Sequence, residues 1–96
     1  MDIKSFEQTI NDDNPPQSVS VYLKALWYDA KGDWDKAHEM IQDIPDRKAS
    51  WIHAYLHRKE GDNSNANYWY NKAGRNMPAN NLQEEWEFIT KEMLSQ

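Results

Sequence analysis

Apolar residues recur along this chain at helical spacing, and each run they form is closed by a turn or stop signal. Ile3, Phe6 and Ile10 stand at i, i+3 and i+7, the stripe of a short amphipathic helix. That run ends at Asn11-Asp12-Asp13-Asn14-Pro15-Pro16, a turn-forming cluster that no helix crosses. Ser18 is the expected N-cap of a second helix running to about Lys31, with Gly32 as its left-handed stop. Asp33 caps a third helix, which continues to about Gln42 or Asp43 and ends at Ile44-Pro45. A fourth spans about Arg47 to Glu60 and stops at Gly61. Asp62 or Asn63 caps a fifth, which reaches Ala73 with Gly74 beyond it. After the loop at residues 76–81, the last helix carries Leu82, Trp86, Ile89 and Met93 on one stripe. It reads as a lid on the preceding hairpin. No strand alternation competes, so the pattern predicts one all-α domain of about six helices over residues 1–96.

Composition decides whether such helices fold. Leu, Ile, Val and Phe number only 15, few enough to raise the question of disorder. Five Trp and five Tyr answer it, because each large ring buries roughly 150–250 Å². The net charge of −5 is too small to oppose collapse. With no cysteine, disulfides, thiolate metal sites and a cysteine nucleophile are excluded. The amphipathic start is unlike a signal peptide, and no apolar run approaches the roughly 20 residues of a membrane span. A cytoplasmic protein without a membrane partner is the expectation.

The middle of the chain repeats itself. Ala25-x6-Gly32-Asp33-x3-Ala37 returns as Ala54-x6-Gly61-Asp62-x3-Ala66, an offset of 29 residues. Self-similarity at such a period marks stacked helical hairpins. Small residues at Ala25 and Ala37 suit closely crossing helices. Gly32 permits the positive φ of a reversal, and Asp33 caps the helix that follows.

At Gly32-Asp33-Trp34-Asp35-Lys36-Ala37 the chain resembles the inter-helix turn of tetratricopeptide repeats. Ile41 and Tyr70 stand where that family places a large apolar residue, and Ala73 and Pro78 match its small residue and closing proline. The first copy is short, with Ala49 at the closing-proline position. The family's tryptophan and leucine are replaced by Val21 and Lys24 in one copy and by Ser50 and His53 in the other. The resemblance implies a short right-handed hairpin array with repeats at about 18–46 and 47–80 and a capping helix at 82–95. It also implies a concave groove lined by the first helix of each hairpin. The groove positions would be Tyr22, Leu26 and Asp29, then Lys48, Trp51, Tyr55, Arg58 and Lys59.

Charge sharpens that expectation. Residues 47–78 hold six basic side chains against Glu60 and Asp62, a net of +4; the remainder holds five basic and fourteen acidic residues, a net of −9. Trp51, Tyr55 and Arg58 share one helical face, and aromatics with arginine are typical of binding hot spots. The expected function is a protein-binding adaptor, without enzymatic activity or cofactor, that holds an acidic or carboxylate-ending segment through Arg58 or Lys59. The competing reading makes Trp51 and Tyr55 core residues under the last helix.

Two further classes stay open: a structural homodimer, and a small metal- or ligand-binding subunit using His53 and His57. That pair stands at i, i+4, but no third ligand is evident; His38 is the only other histidine. The net charge disfavours nucleic acid, although the basic segment carries Trp51, Tyr68, Trp69 and Tyr70. No nucleophile motif, phosphate-cradling loop or dinucleotide fingerprint occurs.

Overall fold

The computed structural model describes residues 1–96 as six helices and no strand. They are α1 (Ile3–Thr9), α2 (Val21–Ala30), α3 (Trp34–Ile41), α4 (Arg47–Lys59), α5 (Asn63–Ala73) and α6 (Leu82–Leu94). None is long and apolar enough to cross a membrane.

Each helix begins where a side chain satisfies a free backbone N–H. Asp2, Ser20, Asp33, Asp46, Asp62 and Asn81 accept from the amides of Ser5, Leu23, Lys36, Ala49, Asn65 and Glu84. Such caps contribute about 0.5–2 kcal/mol each. Asn81 goes further, forming a reciprocal capping box with Glu84. One expected boundary is corrected: Ser20, not Ser18, caps α2. Residues 17–19 stay in turn and coil, and Ser20 has the extended backbone that a cap requires (φ −66°, ψ 165°).

The Gly-Asp pairs close one helix and open the next. Gly32 and Gly61 adopt φ of +87° and +86°. The Asp33 amide donates to Tyr28 O at 2.9 Å and the Gly32 amide to Asp29 O at 2.9 Å. Asp62 and Gly61 repeat the pattern on His57 O and Arg58 O, at 3.0 and 3.1 Å. These are Schellman closures, which satisfy carbonyls that a helix end leaves free. Asp33 and Asp62 then turn their carboxylates to cap α3 and α5.

The turns generate two antiparallel hairpins, α2–α3 and α4–α5, and α3 against α4 joins them. Ala25, Ala37, Ala54 and Ala66 are all completely buried. α6 departs from the expected position. It does not stack on the second hairpin alone but lies across α2 and α4, and α1 packs on α6 in turn. Indole N–H groups help explain this arrangement, because a buried tryptophan needs one acceptor for its one donor. Trp86 donates to Leu26 O at 3.0 Å and ties α6 to α2. Trp27 donates to Thr9 O at 3.1 Å and ties α1 to α2; Trp34 donates to Leu56 O at 2.8 Å and ties α3 to α4.

No atom lies within 4 Å of a Cβ placed on Gly32 or Gly61, so the requirement for glycine is conformational rather than steric. Gly32→Val and Gly61→Val should each lower stability by about 1 kcal/mol or more, since a β-branched residue resists positive φ. Urea denaturation checks this; unshifted midpoints in both variants would show that the turns do not need glycine.

Candidate functional site

Helix α4 is the hub of the molecule, packed against α2, α3, α5 and α6. Every residue from Ala49 to His57 is buried. Polar side chains on such a helix must find partners inside the protein, because burying an unpaired polar group costs roughly 1–3 kcal/mol.

Two carboxylates meet that demand. Asp29 on α2 and Glu85 on α6 are only 3% and 2% exposed. Asp29 accepts from the Tyr55 hydroxyl at 2.8 Å and pairs with Lys59 Nζ at 2.9 Å. Glu85 accepts from the Tyr70 hydroxyl at 2.6 and 2.8 Å and from Arg58 Nη1 at 2.7 Å. The second Arg58 nitrogen donates to the Asn80 carbonyl. Each buried carboxylate therefore has one tyrosine and one cation. Burial, with the adjoining carboxylate and the hydrogen bond to it, holds the Tyr55 and Tyr70 hydroxyls far above the ordinary tyrosine range.

This geometry corrects the expected groove. Leu26 is fully buried, Tyr55 is 2% exposed and Trp51 is 6% exposed, so the three do not form an open face. The face of α2 and α4 that the resemblance leaves free is covered by α6. Arg58 and Lys59 do each hold a carboxylate, but it belongs to this chain. Tyr22 is half-buried, donates to the Asp46 carboxylate and lies under Lys48 at 5.6 Å, which links α2 to the start of α4.

The exposed residues of α4 are at its ends, Arg47, Lys48 and Lys59, and its buried Trp51 borders the loop after α5. There the Arg75 guanidinium carbon lies 3.4 Å from the centroid of the Trp51 ring, and Phe88 meets that ring edge-on at 5.8 Å. Phe88 is 52% exposed, which leaves one face of its ring at the surface beside Trp51. A cleft of about 160 Å³ opens here, lined by Trp51, Arg75, Asn76, Pro78, Asn80, Glu85 and Phe88. Asn80 Oδ1 is buried with no hydrogen-bond partner. An adjoining depression of about 360 Å³ shares Trp51 and Arg75 and adds Arg47, Lys48 and Glu92. Arg47, Lys48 and Arg75 make no ion pair. Sequence reasoning passed over Phe88; the signal was an aromatic lying off the apolar stripe of its own helix.

A second cluster lies where α3, α4 and α5 meet. His38 Nε2 is 2.9 Å from His53 Nε2, and one ring nitrogen from each of His38, His53 and His57 lies within 4.8 Å of the others. The sequence showed no third ligand beside the pair; α3 brings His38 to it. Trp34 stacks on His38 at 4.9 Å and Trp69 on His53 at 3.9 Å. His57 Nδ1 contacts the Glu60 carboxylate at 2.7 Å. Burial, reinforced by the neighbouring imidazoles, pulls His53 down to about 4, and burial followed by His57 lowers His38 as well.

The chain matches no family model, no curated protein and no solved structure.

The buried tyrosines give a pH signature. Because their folded-state pKa values are raised, their contribution to stability is complete below the free-tyrosine value of 10.0 and is lost as pH rises beyond it. Alkaline titration followed by tyrosinate absorbance should show Tyr55 and Tyr70 ionising only as the protein unfolds. Tyr55→Phe and Tyr70→Phe should each remove one late-ionising group. Ionisation of both groups in a still-folded protein near that value would contradict the assignment.

Proposed function

We propose that the chain is an interaction module of tetratricopeptide-like build that docks a short acidic segment at the Trp51–Arg75–Phe88 cleft. The observation that carries this reading is the set of three unpaired cations, Arg47, Lys48 and Arg75, around a nearly buried indole and an exposed phenyl ring. Glu92 is the one acidic group opposing them in the adjoining depression, and the Glu85 carboxylate is already held by Arg58 and Tyr70. A segment with carboxylates flanking an apolar residue matches this surface. Its apolar side chain packs on Phe88 and Pro78 while its carboxylates meet Arg75 and Arg47.

The two hairpins and their Gly-Asp turns support the tetratricopeptide-like reading. The guest, however, sits at the rim of α4 rather than on the face of α2 and α4 that α6 occupies. A helix of the same chain has the advantage there, because its effective concentration exceeds that of a free peptide.

The test is a titration of isotopically labelled protein with a synthetic peptide of alternating Glu and Leu ending in a free carboxylate, followed by NMR. Shifts should concentrate at the Trp51 indole, Arg75 and Phe88, and binding should weaken with added salt. Arg75→Glu should reduce affinity by about tenfold or more while the protein stays folded. Absence of shifts at the cleft, or undiminished binding by Arg75→Glu, would refute the proposal.

A further inference from the structure

We propose that His38, His53 and His57 form a three-histidine site for a borderline divalent cation of the Zn²⁺ class, with a fourth position open to water. This site shares no lining residue with the Trp51 cleft and does not depend on the docking proposal.

The geometry begins with the sequence. His53 and His57 are one turn apart on α4, which places their rings side by side at 4.8 Å and 28°. The α3–α4 contact then presents His38 edge-on to both, at 4.6 Å and 82° to His53 and at 5.3 Å and 72° to His57. Bonds of about 2.0–2.1 Å to a tetrahedral ion hold ligand nitrogens about 3.3 Å apart. The 2.9 Å between His38 and His53 and the 4.8 Å bound on all three bracket that separation, with the His38 and His53 rings turning from their mutual hydrogen bond toward the ion.

The surroundings are those of a ligand shell rather than of filler. Glu60 at 2.7 Å from His57 Nδ1 fixes that nitrogen as the N–H and leaves Nε2 as the lone-pair donor. A carboxylate behind a ligating imidazole is the usual outer partner of a metal histidine. Asn65 Nδ2 makes only a long hydrogen bond to His57 Nε2, at 3.4 Å, which a cation would displace. Trp34 and Trp69 clamp the rings of His38 and His53 and restrict their rotation.

Without a cation the His38 and His53 Nε2 atoms share one hydrogen bond, and His57 bonds Glu60 instead of its histidine neighbours. His53 and His57 are 5% and 7% exposed, so all but the His38 side of the cluster is shielded from water. A cation would engage all three lone pairs. The all-imidazole donor set selects Zn²⁺, Cu²⁺ or Ni²⁺ over Mg²⁺ or Ca²⁺, which require oxygen ligands. His38 is the half-buried member, so the ion enters from its side and the fourth ligand lies toward solvent.

The experiment uses the full chain, stripped with a chelator and titrated with ZnCl₂ by calorimetry and with CoCl₂ by visible absorption. The expected result is one ion per chain with a Kd of about 1 μM or below. Cobalt should give the intense absorption of a four-coordinate site, and zinc should raise the melting temperature. His38→Gln, at a half-buried position, should stay folded by circular dichroism and weaken zinc binding by at least about tenfold. Glu60→Gln, which leaves all three imidazoles in place, should weaken it by a smaller factor. Binding of several ions per chain, the weak absorption of six-coordinate cobalt, or unchanged affinity in folded His38→Gln would overturn the proposal. The last result would assign the ion to His57 with the exposed carboxylates of Glu60 and Asp62 instead.

Discussion

Two buried carboxylates fix how the helices of this protein sit against one another. Asp29 enters from α2 and Glu85 from α6, and both are anchored on α4, through Lys59 with Tyr55 and through Arg58. Tyr70 brings α5 to the same Glu85. A buried charge stripped of its partner costs about 3–5 kcal/mol, so α4 cannot slide against α2 or α6 without losing one pair or the other. The indole tethers extend this registration outward: Trp86 fixes α6 on α2, Trp34 fixes α3 on α4, and Trp27 fixes α1 on α2. Few aliphatic side chains suffice because aromatic rings supply both the buried area and the directional contacts.

That constraint also decides which side chains of α4 are already committed within the chain. The cationic residues of α4 that a sequence reader assigns to a guest are consumed by the chain's own acids, and α6 fills the face between α2 and α4. A small cleft remains at the seam where α4, α6 and the loop after α5 meet. Trp51 is buried there as part of the core, yet its ring surface forms the floor beneath Arg75. The histidine cluster illustrates the same economy on another side of α4, where residues one helical turn apart face a neighbour that supplies the third ring.

The helices were legible in the sequence because their signals are local. Caps at Asp33 and Asp62, stops at Gly32, Gly61 and Gly74, and the stripe from Leu82 to Met93 each act within a few residues. The buried alanines were legible for the same reason, as the repeat displayed them twice. Ser18 and Ser20 differ only in which one the turn after Pro16 leaves extended, which local preference does not decide. Neighbour identity was not legible. Periodicity states which face of α6 is apolar, but not that it covers both hairpins. Sixteen acidic residues offer Arg58 and Lys59 many partners, and only the packed structure selects Glu85 and Asp29. His38 lies 15 and 19 residues from the other two histidines, a separation that carries no signal until α3 is placed on α4.

The central claim is that Arg58 on α4 and Glu85 on α6 hold the fold as a coupled pair. A double-mutant cycle with Arg58→Met, Glu85→Gln and the combined variant, read by urea denaturation, measures that coupling directly. Arg58→Met alone should be the costliest variant, because it strands the Glu85 carboxylate in the interior. The combined variant should recover part of that loss, giving a coupling energy of about 1–3 kcal/mol. Single costs that simply add, with no coupling, would contradict the account.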